Sequence, residues 1–166
     1  PIARGSSPLL VVILALVLAD EVPTEGAIAG IILISVGIFS LTFAKGRISR
    51  AGIKPIGLAL MTGAMIASYT VIDGIGIRSG SSPWPYIAWL NFLEGVPIVL
   101  WTIVYRRKDF KPFVAVNWKT GVMGGSLTLV AYALALYALN EGAMAHVSAL
   151  RETSVLFATL IGAFIL

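Results

Sequence analysis

Four charged residues lie within stretches of the sequence that are otherwise apolar, and their side chains could bind or move a charged solute. They are Asp73, Glu94, Arg151 and Glu152. Carboxylates bind cations or carry protons, and a planar guanidinium suits an anionic group on a substrate. A charge at the centre of a membrane costs about 2.5–3.5 kcal/mol on insertion scales, so such residues mark function by default.

Asp73 ends a stripe of side chains that begins with Thr62, Met65 and Tyr69. Spacings of three, four and four residues place these side chains on one face of a helix. This face could line a cavity. The alternative is that Asp73 already lies at the membrane interface and caps the glycine-rich turn that follows.

Glu94 lies near the middle of its apolar segment, one turn after Asn91 and shortly before Pro97. Proline lacks an amide hydrogen and loosens a helix locally. A buried carboxylate beside such a kink could bind a cation or carry a proton, which makes the proton the candidate coupling ion. The alternative is a protonated structural glutamate that is bonded to a neighbouring helix.

Arg151 and Glu152 lie six and seven residues into the last apolar segment, which is about 9–10 Å deep at about 1.5 Å per residue. Neighbours in sequence do not face each other on a helix. Each therefore needs a partner on another helix, and Glu94 or Asp73 is the candidate for Arg151. Alternatively, Arg151 binds an anionic substrate group or extends to the headgroups.

Aromatic side chains could contact a substrate beside these charges. Tyr132 lies on one helical stripe with Gly121 and Gly125, and it could face the cavity, as could Trp89. The alternative for each aromatic residue is a contact with lipid or with a neighbouring helix. The predicted substrate-binding residues are therefore Tyr69, Asp73, Trp89, Glu94, Tyr132, Arg151 and Glu152.

The composition requires that membrane-spanning elements position these residues. The chain has 166 residues, of which 58% are hydrophobic and 12% charged, whereas soluble domains have about 25% charged residues. This excludes a soluble enzyme, a disordered chain and a nucleic-acid module, and the net charge of +4 is typical of membrane-protein loops. With no Cys and one His, a Cys/His metal site cannot be built, and no cofactor is expected.

Charged residues divide the chain into neutral runs of the length of a membrane span. The intervals 25–45, 54–73 and 119–141 enclose 19, 18 and 21 uncharged residues, and about 20 apolar residues cross the hydrocarbon as a helix. Two small-xxx-small motifs, Gly26 with Gly30 and Gly121 with Gly125, favour close helix packing. We predict an all-α membrane protein, a polytopic helical bundle with segments at 1–19, 26–44, 56–76, 84–105, 121–140 and 145–166.

Basic residues predict which loops face the cytoplasm. The loops 45–54 and 106–119 contain nine Lys and Arg residues, whereas the other three loops contain only Arg78. The positive-inside rule places the two basic loops in the cytoplasm. Because the chain begins at Pro1 and stops at Leu166 inside an apolar run, we expect a fragment of a longer membrane protein.

The two ends of the chain can be aligned with an offset of 147 residues. Over residues 1–19 and 148–166, three positions are identical, and one of them pairs Arg4 with Arg151. One such period contains about five helices, so successive repeats would insert with opposite orientation. Inverted repeats of this kind are typical of secondary transporters and predict about ten helices in the whole protein.

An ordered set of motifs runs along the whole chain, at residues 7–21, 69–76, 90–97, 124–132 and 145–154. In this order they resemble the fourth, sixth, seventh, eighth and ninth helices of EamA-type transporters of the drug/metabolite transporter superfamily. The resemblance implies helices four to nine of a ten-helix (5+5) inverted-repeat bundle. It also implies export or uptake of small metabolites, amino acids or drugs.

The resemblance also implies a domain organisation. Residues 1–44 would form the end of the first repeat, residues 45–55 the inter-repeat loop, and residues 56–166 most of the second repeat. In the family's usual arrangement both basic loops lie outside, which is opposite to the orientation that the Lys and Arg residues predict.

We therefore predict a secondary transporter that works by alternating access in the bacterial cytoplasmic (inner) membrane. Its partners would be the lipid bilayer and a small-molecule substrate, with no nucleic acid. An intramembrane enzyme is not expected. A rhomboid-like protease needs a Gly-x-Ser-Gly setting plus His, but Leu127 follows Ser126, and His146 is the only histidine and begins another helix. The alternative is a channel or a membrane scaffold without a transport cycle.

Overall fold

The computed structural model describes residues 2–44 and 53–165 and is 91% helical, with no strand in those residues. Four helices are long and apolar enough to cross a membrane, which confirms the predicted all-α polytopic class. In chain order the helices are α1 (Ile2–Ala19), α2 (Glu25–Ala44), α3 (Ile53–Arg78), α4 (Pro83–Tyr105), α5 (Arg107–Glu141), α6 (Met144–Glu152) and α7 (Ser154–Ile165).

The predicted loop 106–119 is wrong, because α5 begins at Arg107 and runs for 35 residues. Charged residues locate the ends of an apolar run and not the ends of a helix, and Lys and Arg are good helix formers. The predicted loop 45–54 falls mostly outside the described residues.

The last predicted segment, 145–166, is divided into α6 and α7 at Thr153. The Thr153 amide donates a hydrogen bond to the Leu150 carbonyl oxygen at 3.1 Å, three residues back instead of four. The Thr153 hydroxyl donates to the same oxygen at 2.6 Å. This tighter turn, of the 3₁₀ type, follows directly after Arg151 and Glu152.

The chain forms two compact units, of which unit 1 comprises residues 1–75 and 141–166. Within unit 1, α6 packs against α1 and α2, and α1 packs against α2. Val11, Ala15, Ile31 and Met144 are almost fully buried between these helices. Large apolar side chains such as Leu33 cover the outside of the unit, which suits contact with lipid.

Small residues let α3 approach its neighbours within unit 1. A Cβ atom added at Gly63 would lie 2.9 Å from the Ala3 carbonyl oxygen and would meet the Ser6 hydroxyl on α1. At Gly74 an added Cβ would lie 2.8 Å from the sulfur of Met144 on α6. The close approaches that the predicted motifs favour do not occur among the described residues, where an added Cβ meets no atom within 4 Å at Gly26, Gly30, Gly121 or Gly125.

Unit 2, residues 76–140, contains the end of α3, all of α4 and most of α5. The Arg78 guanidinium donates through Nε to the Leu139 carbonyl oxygen at 2.8 Å. The rings of Trp84 and Tyr137 stack with centroids 6.0 Å apart. These contacts hold the turn between α3 and α4 against the carboxyl end of α5.

Candidate functional site

Every buried polar side chain among the described residues belongs to unit 1. These side chains come from four helices, α1, α2, α3 and α6. Burying a polar group in an apolar surrounding costs free energy unless a hydrogen bond compensates it. Their concentration in one unit therefore marks it as the candidate site; the residues are Ser6, Ser7, Ser35, Thr70, Asp73, Ser148 and Glu152.

Four of these residues have a buried oxygen atom without a hydrogen-bond partner among the described residues: Ser7 Oγ, Ser35 Oγ, Thr70 Oγ1 and Glu152 Oε2. An unsatisfied buried polar group costs about 1–3 kcal/mol. Native structures contain few such groups, and each calls for a cause, such as a functional role or a bound solute. The four oxygens are therefore available to a polar ligand or to water.

Arg151 on α6 contacts Tyr69 on α3. Its Nη2 donates to the tyrosine oxygen at 3.4 Å, and its guanidinium carbon lies 6.0 Å from the centre of the tyrosine ring. The sequence predicted both residues as site residues, but named Asp73 or Glu94 as the partner of Arg151. A phenol leaves the positive charge of Arg151 uncompensated by this contact, so the guanidinium can still bind an anionic group.

Glu152 is 9% exposed, and the positive charges of Arg4 and Arg151 act on its carboxylate. Arg4 lies on α1, so a positive charge on another helix acts on Glu152 without supplying a hydrogen bond to Oε2. The two arginines are those that the 147-residue offset pairs. Both ends of the described chain thus contribute a guanidinium to the surroundings of one buried carboxylate.

Asp73 is 6% exposed and lies within α3, which continues to Arg78. The alternative that Asp73 caps a turn directly after it is therefore wrong. Thr62 and Met65, on the same predicted stripe, are exposed, and the Thr62 hydroxyl donates to the Leu58 carbonyl oxygen at 2.9 Å. Only the carboxyl-terminal half of the stripe brings side chains to the buried polar groups.

The other three predicted site residues, Trp89, Glu94 and Tyr132, belong to unit 2. Glu94 is exposed, so the prediction that its carboxylate is buried beside the proline is wrong. Trp89 is 63% exposed and meets Phe92 edge to face, with ring centroids 5.9 Å apart. Tyr132 is half-buried.

Glu21 is a residue of unit 1 that the sequence analysis did not single out. Its Oε2 accepts a hydrogen bond at 2.8 Å from the amide of Met144, the first residue of α6. A carboxylate at a helix amino terminus satisfies an amide that has no partner in the helix and interacts favourably with the helix dipole. Glu21 thereby fixes the position of the helix that carries Arg151 and Glu152.

Replacing Glu21 with alanine should lower the free energy of unfolding by about 1 kcal/mol, the usual cost of losing a helix cap. Glu21→Gln keeps an oxygen acceptor and loses the charge, so its effect should be about half as large. Thermal unfolding of the purified protein in detergent, followed by circular dichroism, measures both. Equal stability of Glu21→Ala and the parent would show that this contact does not hold α6.

No known protein family, curated protein or solved structure matches the chain significantly. Among the described residues, no group of three or more His, Cys, Asp or Glu side chains could hold a metal ion. The resemblance to EamA-type transporters thus remains a prediction from sequence motifs, and the site is argued from its geometry alone.

Proposed function

We propose that this protein is a secondary transporter of small polar solutes, with its substrate site among the buried polar groups of unit 1. The observation that carries the proposal is the set of four buried oxygens without hydrogen-bond partners among the described residues. They lie on α1, α2, α3 and α6, and α6 also carries Arg151. A solute that binds there would satisfy groups that otherwise reduce the stability of the bundle.

The turn between α6 and α7 supports a transport role. A short 3₁₀ turn within a helix often marks a hinge, and the backbone at Thr153 keeps helical dihedral angles, φ −62° and ψ −19°. Here the interruption at Thr153 comes directly after Arg151 and Glu152. A movement of α7 relative to α6 would change the surroundings of these two side chains.

The side chains favour a substrate with an anionic group and further hydrogen-bonding groups. The Arg151 guanidinium would bind the anionic group, the Tyr69 hydroxyl would orient that guanidinium, and Ser7, Ser35 and Thr70 would bond to polar atoms. The carboxylates of Asp73 and Glu152 would accept a cationic group or a coupling proton. Small metabolites and amino acids combine these features, and drugs that carry them would also fit.

The finer parts of the proposal follow from the sequence. We place the chain as helices four to nine of a ten-helix inverted-repeat transporter of the EamA type, in the bacterial cytoplasmic membrane. Residues 56–166 would form most of the second repeat. Arg4 and Arg151 would then be equivalent positions of two repeats of opposite orientation, both acting on Glu152.

Counterflow in proteoliposomes tests the function. Liposomes are loaded with one unlabelled amino acid or metabolite at a time, and uptake of the labelled compound is followed. Transient accumulation above equilibrium indicates a carrier, whereas a channel gives none. We expect Arg151→Ala to lower counterflow about tenfold or more, since a hydrogen bond to a charged group contributes about 1.5–3 kcal/mol.

Two further variants distinguish an effect on the substrate site from a general effect of substitution on transport. Tyr69→Phe keeps the ring below Arg151 and removes the hydroxyl, so we expect a smaller loss than for Arg151→Ala. Lys54→Gln removes an exposed charge from the first turn of α3 and should leave counterflow unchanged. If the Arg151→Ala protein transports every solute at the same rate as the parent protein, the substrate site lies elsewhere.

A further inference from the structure

The amino-terminal part of α5 extends beyond the length that a membrane span needs. Its 35 residues measure about 52 Å at about 1.5 Å per residue, compared with about 30 Å of hydrocarbon. The uncharged run between Lys119 and Glu141 is itself long enough to span. The segment 107–119, here called the basic extension, therefore lies at or outside one membrane surface.

Helical geometry gathers the positive charges of the basic extension on one side. At about 100° per residue, Arg107, Lys108, Lys111 and Lys119 fall within an arc of about 120°. In a loop, as the sequence alone predicted, the same residues would have no common face. Their side chains are exposed.

Aromatic and apolar residues accompany this basic face. Trp118 is 54% exposed, and the Lys119 ammonium lies 5.8 Å from the centre of its ring. Val114 borders the basic arc and Phe113 lies on the opposite side of the helix; they are 40% and 66% exposed. Tryptophan beside lysine at the end of a span is typical of the headgroup level of a bilayer.

Two further aromatic residues lie at the end of α4, within unit 2. Trp101 and Tyr105 pack with ring centroids 5.6 Å apart, and α5 begins two residues after Tyr105. Both rings are exposed. The aromatic residues of two helices thus lie close in sequence to the four basic side chains.

We propose that the basic face of α5, formed by Arg107, Lys108, Lys111 and Lys119, binds the headgroups of anionic phospholipids. Charge complementarity selects this occupant, since the segment 106–119 contains five basic residues and one acidic residue. Clusters of this kind next to a span are attracted to anionic lipid surfaces. The proposal does not depend on transport, because it concerns a surface of unit 2 outside the candidate substrate site.

Quenching of tryptophan fluorescence by brominated lipids tests the proposal in reconstituted bilayers. Trp118 is kept as the only tryptophan by replacing Trp84, Trp89 and Trp101 with phenylalanine. Quenching by brominated phosphatidylglycerol is compared with quenching by brominated phosphatidylcholine. We expect at least a tenfold preference for phosphatidylglycerol at Trp118, because each basic residue near an anionic surface contributes up to about fivefold.

Matched variants test the role of charge. The triple variant Lys108→Gln, Lys111→Gln, Lys119→Gln should lose most of the preference, whereas the corresponding triple replacement by arginine should keep it. A protein that keeps only Trp84, which stacks on Tyr137 at the other end of α5, should show no preference. Sodium chloride at 1 M should reduce the preference of the unmodified basic face by screening.

Three results would overturn the proposal. The first is an unchanged preference in the glutamine variant, and the second is a preference that 1 M salt does not reduce. The third is competition by millimolar free phosphate, which would indicate a phosphate site instead of a lipid surface. If the glutamine variant fails to fold, the salt titration of the protein with Trp118 as its only tryptophan still tests the proposal.

Discussion

Replacing Gly63 with alanine is expected to lower the free energy of unfolding by about 1–3 kcal/mol, the usual cost of overpacking a core. The added methyl group would lie 2.9 Å from the Ala3 carbonyl oxygen. A side chain can rotate away from such a contact, but a backbone oxygen moves only with its helix. The helices α1 and α3 would therefore have to separate, which weakens the packing of unit 1.

Gly57→Ala is the matched control for this prediction. Gly57 lies on the same helix, and an added Cβ there meets no atom of the described residues within 4 Å. Alanine is favoured over glycine in a helix by up to about 1 kcal/mol, so this variant should be as stable as the parent or more stable. Thermal unfolding of both variants in the same detergent gives the comparison.

A second substitution tests whether the steric contact is the cause. The Ser6 hydroxyl is the other group that an added Cβ at Gly63 would meet. Combining Gly63→Ala with Ser6→Ala removes that contact and leaves the one with Ala3, so stability should be partly recovered. If Gly63→Ala and Gly57→Ala are equally stable, α1 and α3 do not approach each other closely at this point.

The sequence was sufficient to predict the four helices that are long and apolar enough to span a membrane, because charge is costly in hydrocarbon and long neutral runs are rare otherwise. The sequence did not predict two features that do not depend on the cost of burying charge in hydrocarbon. The basic extension of α5 is helical because hydrogen bonding and helix propensity continue outside the hydrocarbon. The interruption at Thr153 lies inside an apolar run and depends on one local hydrogen-bond pattern.

The candidate site was predictable by residue type but not by partner. Asp73, Arg151 and Glu152 stand out as charges in apolar runs, and all three lie in unit 1. The contacts that hold Arg151 and its helix in place join residues far apart in the chain. Tyr69 and Arg151 are 82 positions apart, and Glu21 and Met144 are 123 positions apart. A single sequence carries no information about such pairs.

The glycines illustrate the same limit. Spacing alone favoured the pairs Gly26 with Gly30 and Gly121 with Gly125, yet the closest approaches among the described residues occur at Gly63, Gly74 and Gly76. Small residues permit close packing of helices but do not determine which faces meet. That choice depends on the surfaces of α1 and α6, which the local pattern of α3 does not contain.

Replacing Glu152 with methionine is expected to stabilise the protein and abolish transport. The buried Glu152 Oε2 has no hydrogen-bond partner among the described residues, and leaving such an atom unsatisfied costs about 1–3 kcal/mol. Methionine has a similar length and no strong acceptor, so this cost disappears. The attraction of Arg4 and Arg151 is lost as well, but Arg4 is exposed and water screens its charge.

Glu25→Met is the matched control, because Glu25 is an exposed acidic residue in the first turn of α2. A negative charge there interacts favourably with the helix dipole, by about 0.3–1 kcal/mol, so its removal should slightly destabilise the protein and leave counterflow unchanged. Opposite signs for the two substitutions would separate the surroundings of Glu152 from a general effect of removing charge.

The combination of the two measurements decides what Glu152 does. Function often requires polar groups that lower the stability of the fold. A Glu152→Met protein that unfolds at a higher temperature and shows no counterflow would mean that the carboxylate is retained for a ligand or an ion. A protein that unfolds at a lower temperature would mean instead that Glu152 stabilises the bundle through Arg4 and Arg151, and the substrate site would then have to be built without it.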